Sequence, residues 1–363
     1  MRFISILIAL LALGACTSDI TSQRHKATDV AIIMPLSGKY GNMGKRASAL
    51  IEMGLEDGLK GTMKVVLYDI SEDYKMDAAA SKIRQQGAQL VLGPIFSPHT
   101  LEMSKRLEGS GASIISLSNN SRIAGKNLYV FGHSPTRQTR RIFNFLLDQN
   151  YKDFMMLLPV GRYYSELSKN VSHLIESKGG RLYRSEFYVN KESSIDIAIE
   201  NIAKIAQSIN ELEENSKKPV LYISDEPSNL KRIMKQLKNH NLDLSTIIVG
   251  DNKIDLEYET QIPYIFTGSI KYNPDDILTK LKSKIPDAEY IDYMDLMAYD
   301  LGRIVSYNLG RGLKIDQFKA KLDLGHLYLG VSGDIKFVDH IAYRKYDIVR
   351  RSGAGYEIID RAR

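Results

Sequence analysis

The sequence predicts an α/β protein of two lobes, each a parallel sheet flanked by helices. Three observations lead there. From Val30 onward, short apolar runs of strand length alternate with longer stretches that repeat apolar residues at helical spacing. The short runs are apolar on both faces, as strands are when helices cover a sheet on both sides. The alternation begins again near Phe154 with no residue-level repeat. The chain beyond the N-terminal segment, roughly 330 residues, suits two domains on the length rule.

The first lobe opens with 30–34, an apolar strand stopped by Pro35 and Gly38. Residues 42–59 then place Met43, Ala47, Leu50, Ile51, Gly54 and Leu55 on one helix face. Strand 64–68, helix 76–86, strand 90–92 ending at Gly93-Pro94, helix 98–108 and strands 113–117 and 128–131 follow. In the second lobe, strand 154–158, helix 163–178, strand 182–189 and a long helix over 194–215 come first. Strands 220–223 and 246–249 flank a helix over 227–239, and 265–266 is a further short strand. Residues 274–284 and 291–309 are helical and can return to the first lobe. Residues 334–338 and 342–350 read as a β-hairpin.

The N-terminus speaks to compartment. Arg2 precedes an uncharged apolar run over 3–15, too short for a membrane span of about 20 residues. The run ends Leu13-Gly14-Ala15-Cys16. Small residues followed by Cys resemble the lipobox of bacterial lipoproteins, which implies diacylglyceryl transfer to Cys16 and cleavage before it. Residues 1–15 are then a signal peptide and 16–29 a lipidated cysteine and polar tether. Thr17 after Cys16 implies outer-membrane sorting by the rule of some diderm bacteria. Cys16 is the single cysteine, so no internal disulfide and no thiolate metal site is available. No other segment has 18 uncharged apolar residues.

The net charge of +6 is spread along the chain. It favours acidic surfaces such as lipid headgroups or wall polymers, and no basic arm of the kind that binds nucleic acid is present. Enzyme signatures are missing. Gly38, Gly41 and Gly44, with Asp69 after the next strand, give G-x-x-G-x-x-G rather than the dinucleotide fingerprint. There is no G-x-S-x-G elbow, H-E-x-x-H or P-loop, and the seven His are scattered. The chain is read as non-enzymatic, without cofactor or metal.

Several segments carry a family resemblance. Met34-Pro35-Leu36-Ser37-Gly38 with Tyr40-Gly41-Asn42-Met43-Gly44 resembles the opening of type I periplasmic binding proteins, the leucine-binding kind. Leu92-Gly93-Pro94-Ile95-Phe96-Ser97 is similar to their third strand and turn, and Gly330-Val331-Ser332-Gly333-Asp334-Ile335-Lys336-Phe337 to a turn and strand near their C-terminus. A narrower resemblance is to penicillin-binding-protein activator lipoproteins. It rests on Ile115-Ser116-Leu117-Ser118-Asn119-Asn120, Ala124-Gly125, Val130-Phe131-Gly132-His133-Ser134-Pro135 and Tyr356-Glu357-Ile358-Ile359-Asp360. The larger activators' N-terminal helical-repeat domain has no counterpart among these residues. The resemblance implies a two-lobed periplasmic-binding-protein type I fold. It also implies an envelope lipoprotein, on the periplasmic side, that regulates peptidoglycan synthesis by contacting a synthase, a penicillin-binding protein. The alternative is capture of amino acids or similar small polar solutes for an ABC importer and its permease.

The expected lobes are 30–133 plus 272–324, and 134–271 plus 325–363, with crossings near 132–136, 267–273 and 325–334. Ligands of open α/β sheets sit beyond the carboxyl ends of the strands, where backbone N–H groups and helix N-termini favour anions. The loops in question are 35–44, 93–99 and 117–122 in one lobe and 159–165, 224–227 and 250–253 in the other. The resemblance puts Ser97 and Ser118 where relatives use hydroxyls on an amino-acid carboxylate; a helix cap or turn hydroxyl is the other reading. Ser37 and Tyr40 lie in the first loop. Asn119 and Asn120 either read a ligand or shape the turn. Tyr163 and Tyr164 fall where relatives place an aromatic wall, with Ser165 in place of the following Gly. Asp251, after Gly250, either holds a ligand ammonium or caps a turn.

Overall fold

The computed structural model describes residues 30–57, 63–133, 135–212, 217–225, 227–240, 242, 244–250, 262–268, 274–353 and 355–362. The signal, lipobox and tether expectations, the Asp251 expectation and the second crossing near 267–273, apart from Thr267 and Gly268, lie outside them.

The chain begins β1 (Val30–Met34), α1 (Gly41–Glu56), β2 (Val65–Asp69), α2 (Asp73–Gln86), β3 (Leu90–Leu92), α3 (Ser97–Arg106), β4 (Ser113–Ser116) and β5 (Leu128–Val130). Next come α4 (Pro135–Asp148), β6 (Asp153–Pro159), α5 (Arg162–Ser177), β7 (Arg181–Tyr188), α6 (Glu192–Leu212), β8 (Val220–Ile223), α7 (Pro227–His240), β9 (Thr246–Val249) and β10 (Tyr264–Gly268). It ends with α8 (Pro274–Lys284), α9 (Tyr293–Leu309), α10 (Ile315–Asp323), β11 (Tyr328–Gly330), β12 (Gly333–Val338), β13 (Ile341–Lys345), β14 (Asp347–Ser352) and β15 (Gly355–Asp360).

Two mostly parallel sheets result. One has the order β11-β12-β13-β5-β4-β3-β1-β2 and the other β15-β14-β10-β9-β8-β6-β7. β1, β3, β6 and β8 are buried along nearly their whole length, as parallel strands covered on both faces must be. Each sheet has a core on either face. In the first lobe α1, α8, α9 and α10 cover one face and α2 and α3 the other. In the second, α6 and α7 cover one face and α4 and α5 the other. This is the two-lobed α/β architecture that the alternation predicts, and the periplasmic-binding-protein fold that the family resemblance implies.

The lobe boundary at the C-terminus differs from expectation. Residues 325–363 do not all join the second lobe. β11, β12 and β13 extend the first sheet, and only β14 and β15 join the second. The run 342–350, read from the sequence as one strand, is divided at Tyr346. Asp339 and His340, both with positive φ, form the tight turn that pairs β12 with β13. β13 then runs parallel beside β5 at Ile341 and Val130, and past Tyr346 the chain pairs β14 antiparallel with β10. The third crossing is therefore at Tyr346 rather than 325–334.

Two helices and two strands lie outside the sequence expectation. α4 buries Ile142, Phe143, Leu146 and Leu147, and α10 buries Ile315, Phe318 and Leu322. β11 and β15 are sheet edges. α9 is buried nearly all round and starts at Asp292, whose side chain accepts from the Asp295 N–H at 2.8 Å while Asp295 accepts from the Asp292 N–H at 2.8 Å. Asp295 also takes a forked bond from Arg46 of α1, at 2.8 and 2.7 Å. The two helices touch backbone to backbone. A Cβ on Gly54 would stand 2.8 Å from the Arg303 nitrogen and nearer still to the Tyr299 carbonyl oxygen, and one on Gly302 would stand 2.9 Å from the Leu55 nitrogen.

Candidate functional site

The first crossing leaves the first sheet at the carboxyl end of β5. α4 runs away from it before β6 returns, so the carboxyl ends of the parallel strands in both lobes face the crossings. The described parts of the loops singled out from the sequence lie at those carboxyl ends; residues 226 and 251–253 lie outside the described residues.

On the first-lobe side the structure brings Tyr40, Ser97, Ser118 and Asn120 together. The Ser97 and Ser118 hydroxyls bond each other at 2.8 Å, and Ser118 Oγ also accepts the Asn120 N–H at 3.1 Å. Ser118 is fully buried. Beneath it Ser116 Oγ receives the Ser118 N–H at 3.0 Å, donates to the Pro94 carbonyl at 2.9 Å and meets Thr100 Oγ1 at 2.8 Å. Asn120 caps the next turn, accepting the Arg122 N–H at 3.1 Å, while Asn119 is exposed. The Tyr40 ring packs on Phe96 at 4.5 Å, and Phe96 packs edge-on to His99 at 5.9 Å. Gly132 donates to the Ser118 carbonyl at 3.1 Å, and a Cβ there would clash with that carbonyl. The first crossing is thus held against the Ser118 loop.

Ser37 enters a different cluster, which the sequence reading missed. Its hydroxyl is 3.5 Å from Asp69, and its N–H donates to Ser71 Oγ at 2.9 Å. Asp69 accepts from the Leu36 and Ser71 N–H groups, both at 2.9 Å, from the Ser71 hydroxyl, and from Lys75 Nζ at 2.8 Å. Partial burial works to raise the Asp69 pKa, but the bonds from Lys75, Ser71 and Leu36 prevail and hold it well below the usual carboxylate range. The available signal was an acidic residue closing β2 with a lysine six positions on.

The second-lobe side is aromatic. Tyr163 is exposed, and its ring meets Tyr164 at 5.0 Å, whereas Tyr164 packs into the lobe's own core beside α4. Of the two, only Tyr163 stands in the solvent-facing position an aromatic wall needs. Tyr188, at the end of β7, donates to Asp225 at 2.6 Å. Burial first, and then the bond to Asp225, push the Tyr188 pKa far above its ordinary value. Asp225 and Ser224 are buried at the carboxyl end of β8. The rule that selected Asp251 from the end of β9 selects Asp225 from the end of β8. Gly250 lies under the Tyr222 hydroxyl, where a Cβ would clash. Among the described residues no group of His, Cys, Asp or Glu has the spacing of a metal site, and no helix is long and apolar enough to cross a membrane.

Two mostly parallel sheets, with helices on both faces of each and the chain crossing between them after β5 and again at Tyr346, have the architecture of a type I periplasmic-binding-protein fold. The chain belongs to the family of the uncharacterized protein RP748 of Rickettsia prowazekii (strain Madrid E), to which it is 34% identical over 337 residues, 93% of this chain and 90% of that protein. It is also 29% identical over 143 residues to the penicillin-binding protein activator LpoA of Glaesserella parasuis, 38% of this chain but 24% of that protein. No family model matches. Among solved structures, a putative branched-chain amino acid ABC transporter protein from Rhodospirillum rubrum has a TM-score of 0.70 at 13% identity, over 92% of this chain and 100% of that one. The LpoA C-domain from Haemophilus influenzae, a regulator of PBP1A, has a TM-score of 0.62 at 15% identity, over 90% and 98%. At these identities the structural matches show the fold and do not choose between the two kinds of protein.

Proposed function

We propose that this chain is a non-enzymatic envelope lipoprotein, anchored through Cys16, that regulates peptidoglycan synthesis by contacting a penicillin-binding protein. The observation that carries the reading is the state of the first-lobe wall. Ser97 and Ser118 are bonded to each other, and Asp69 is neutralised by Lys75. One O–H of the Ser97–Ser118 pair is spent on the other hydroxyl, so a solute carboxylate that used both hydroxyls as donors would have to break that bond, at about 1 kcal/mol net. A protein partner makes no such demand. The stretch matched by the Glaesserella parasuis activator supports the same side.

A second reading, capture of an amino acid or similar solute for an importer, draws on the Tyr40–Phe96 wall and the buried Asp225, which could face a ligand's apolar side chain and ammonium. One experiment separates the two. A solute that saturates the cleft at 100 times its Kd stabilises the fold by about 2.7 kcal/mol, which raises the Tm by several degrees. The full chain, purified in detergent, is expected to show no shift with the twenty amino acids or short peptides, and to be retained by the immobilised peptidoglycan synthase of its own cell. A reproducible shift with one amino acid and no retention would overturn the proposal. Lipidation is tested separately by fatty-acid labelling, which Cys16→Ser is expected to abolish; equal label in both proteins would refute the anchor.

A further inference from the structure

The second lobe's sheet ends at β7, an edge strand of 8 residues. Among the described residues no strand pairs with its outer side. A long edge of this kind is a template for another chain. The Val160 N–H donates to the Tyr188 carbonyl at 2.8 Å, so the main-chain groups of Tyr188 face β6. Successive residues of a strand turn those groups to alternate sides, which aims those of Ser185 and Phe187 outward. The register with β6 slips by one residue at Tyr183, and Ser185 and Phe187 lie clear of that slip.

Apolar and charged residues share this edge. Tyr183, Phe187, Val189 and Ile197 are 37%, 38%, 48% and 58% exposed. Ile197 stands one helical turn before Asn201, whose amide donates to Glu186 at 2.8 Å, so α6 adds its residue to the same strip. Arg184 and Glu186 lie on one face of β7 and pair with each other at 2.8 Å. The strand is self-complementary. Antiparallel pairing of two copies about a two-fold axis at Ser185 sets Arg184 of each opposite Glu186 of the other, and Tyr183 opposite Phe187. Opposite residues share a face, and opposite charges and aromatic pairs there are favourable. Moving the axis one residue either way sets Arg184 on Arg184 or Glu186 on Glu186, and like charges directly opposite repel.

We infer that β7 is a self-association edge, on which a second copy of this chain pairs antiparallel about Ser185 and joins the two second-lobe sheets into one. The outward N–H and C=O of Ser185 meet their equivalents across the axis, and those of Phe187 extend the ladder on either side. Each Arg184 keeps the Glu186 of its own strand and gains the other copy's, so no ion pair is lost. Tyr183 and Phe187 pack across the seam. A membrane surface selects one sign of charge, whereas this edge carries both in a palindromic order. The inference is independent of the synthase reading.

The test is sedimentation of the detergent-purified full chain, with the detergent matched in density to the solvent. The wild type is expected to dimerise in the micromolar range. Arg184→Glu sets acid against acid, Glu186→Arg sets cation against cation, and each is expected to weaken the dimer about tenfold or more. Mixed together, the two variants place opposite charges at both contacts and are expected to form a heterodimer. A role of the pair within one chain gives no such rescue, because inside each variant the two residues remain like-charged. A monomer throughout the micromolar range, or a dimer that Arg184→Glu leaves intact, overturns the inference, as does a mixture of folded variants that stays monomeric. If Glu186→Arg fails to fold, amide exchange decides. The Ser185 and Phe187 amides are expected to be protected at high concentration and to exchange fast on dilution or in Arg184→Glu; protection independent of concentration overturns the inference. Protection that appears only when the synthase is added to a monomeric chain also overturns it and gives the edge to that partner.

Discussion

Gly54→Ala tests whether α1 and α9 truly meet through their backbones. The added Cβ would lie 2.8 Å from the Arg303 nitrogen and closer to the Tyr299 carbonyl, both main-chain atoms with no rotamer to yield. The helices must part by roughly 0.5–1 Å, a gap that forfeits a quarter to a half of each dispersion contact along the interface. Overpacking of this kind costs about 1–3 kcal/mol, and the upper end applies because the obstacle is backbone. Alanine's better helix propensity returns about 1 kcal/mol. The 3.0 Å bond from Ser306 Oγ to the Gly54 carbonyl is strained as well. The expected net loss is about 2 kcal/mol, which lowers the Tm of the first-lobe transition by roughly 4–8 °C. Calorimetry measures it, with the second lobe's transition as an internal standard if the two separate. Gly302→Ala should behave alike, and the double variant should lose less than the sum because one displacement relieves both clashes. An unchanged or raised first transition in Gly54→Ala would refute the close approach.

Three further outcomes follow from polar side chains of the first lobe. Asp69 has a depressed pKa, so its stabilisation is present above the unfolded value near 4 and is lost as pH falls below it. Asp69→Asn should therefore lower the urea midpoint at pH 7, with the difference shrinking by pH 3; a constant difference would contradict the assignment. Arg344 is buried and donates to the Phe131 carbonyl at 2.8 Å and to Ser332 Oγ at 3.1 Å, so Arg344→Met should cost about 2–4 kcal/mol by urea unfolding, and a loss under about 1 kcal/mol would show the bonds to be idle. Ser118→Ala should cost about 1 kcal/mol and leave synthase retention unchanged, whereas lost retention in a folded variant would place the cleft wall in the partner interface.

The sequence was most legible where one period ran without interruption. Strands 90–92, 220–223 and 246–249 and helix 274–284 have the boundaries their apolar runs predict, because each run is closed by Gly, Pro or charge. α4 was not legible. It opens with Pro135 after a crossing and carries Arg137, Arg140 and Arg141 in its first two turns, so Ile142, Phe143, Leu146 and Leu147 read as the tail of a loop. The division at Tyr346 left no mark, since the residues on both sides suit a strand and only pairing partners distant in sequence, Val130 and Phe266, separate them. At the cleft, the hydroxyls were legible as types in the right loops. That Ser97 and Ser118 bond each other was not, because they come from different loops brought together only by the parallel pairing of β3 and β4.

The division at Tyr346 has a consequence for the chain's making. β5 gains its outer neighbour only from β13, and β10 gains its own only from β14. Both are buried in the finished protein, and both would be bare sheet edges in any product that stops after Leu324. Bare apolar edges recruit other chains. Neither lobe can thus be completed during synthesis, and an early stop damages both at once. The same arrangement delays the formation of a rigid body until the last strands emerge, and pairing across such separations is slow. A polypeptide that must be threaded unfolded through a narrow channel gains from that delay, because no finished lobe stands ready to block its passage.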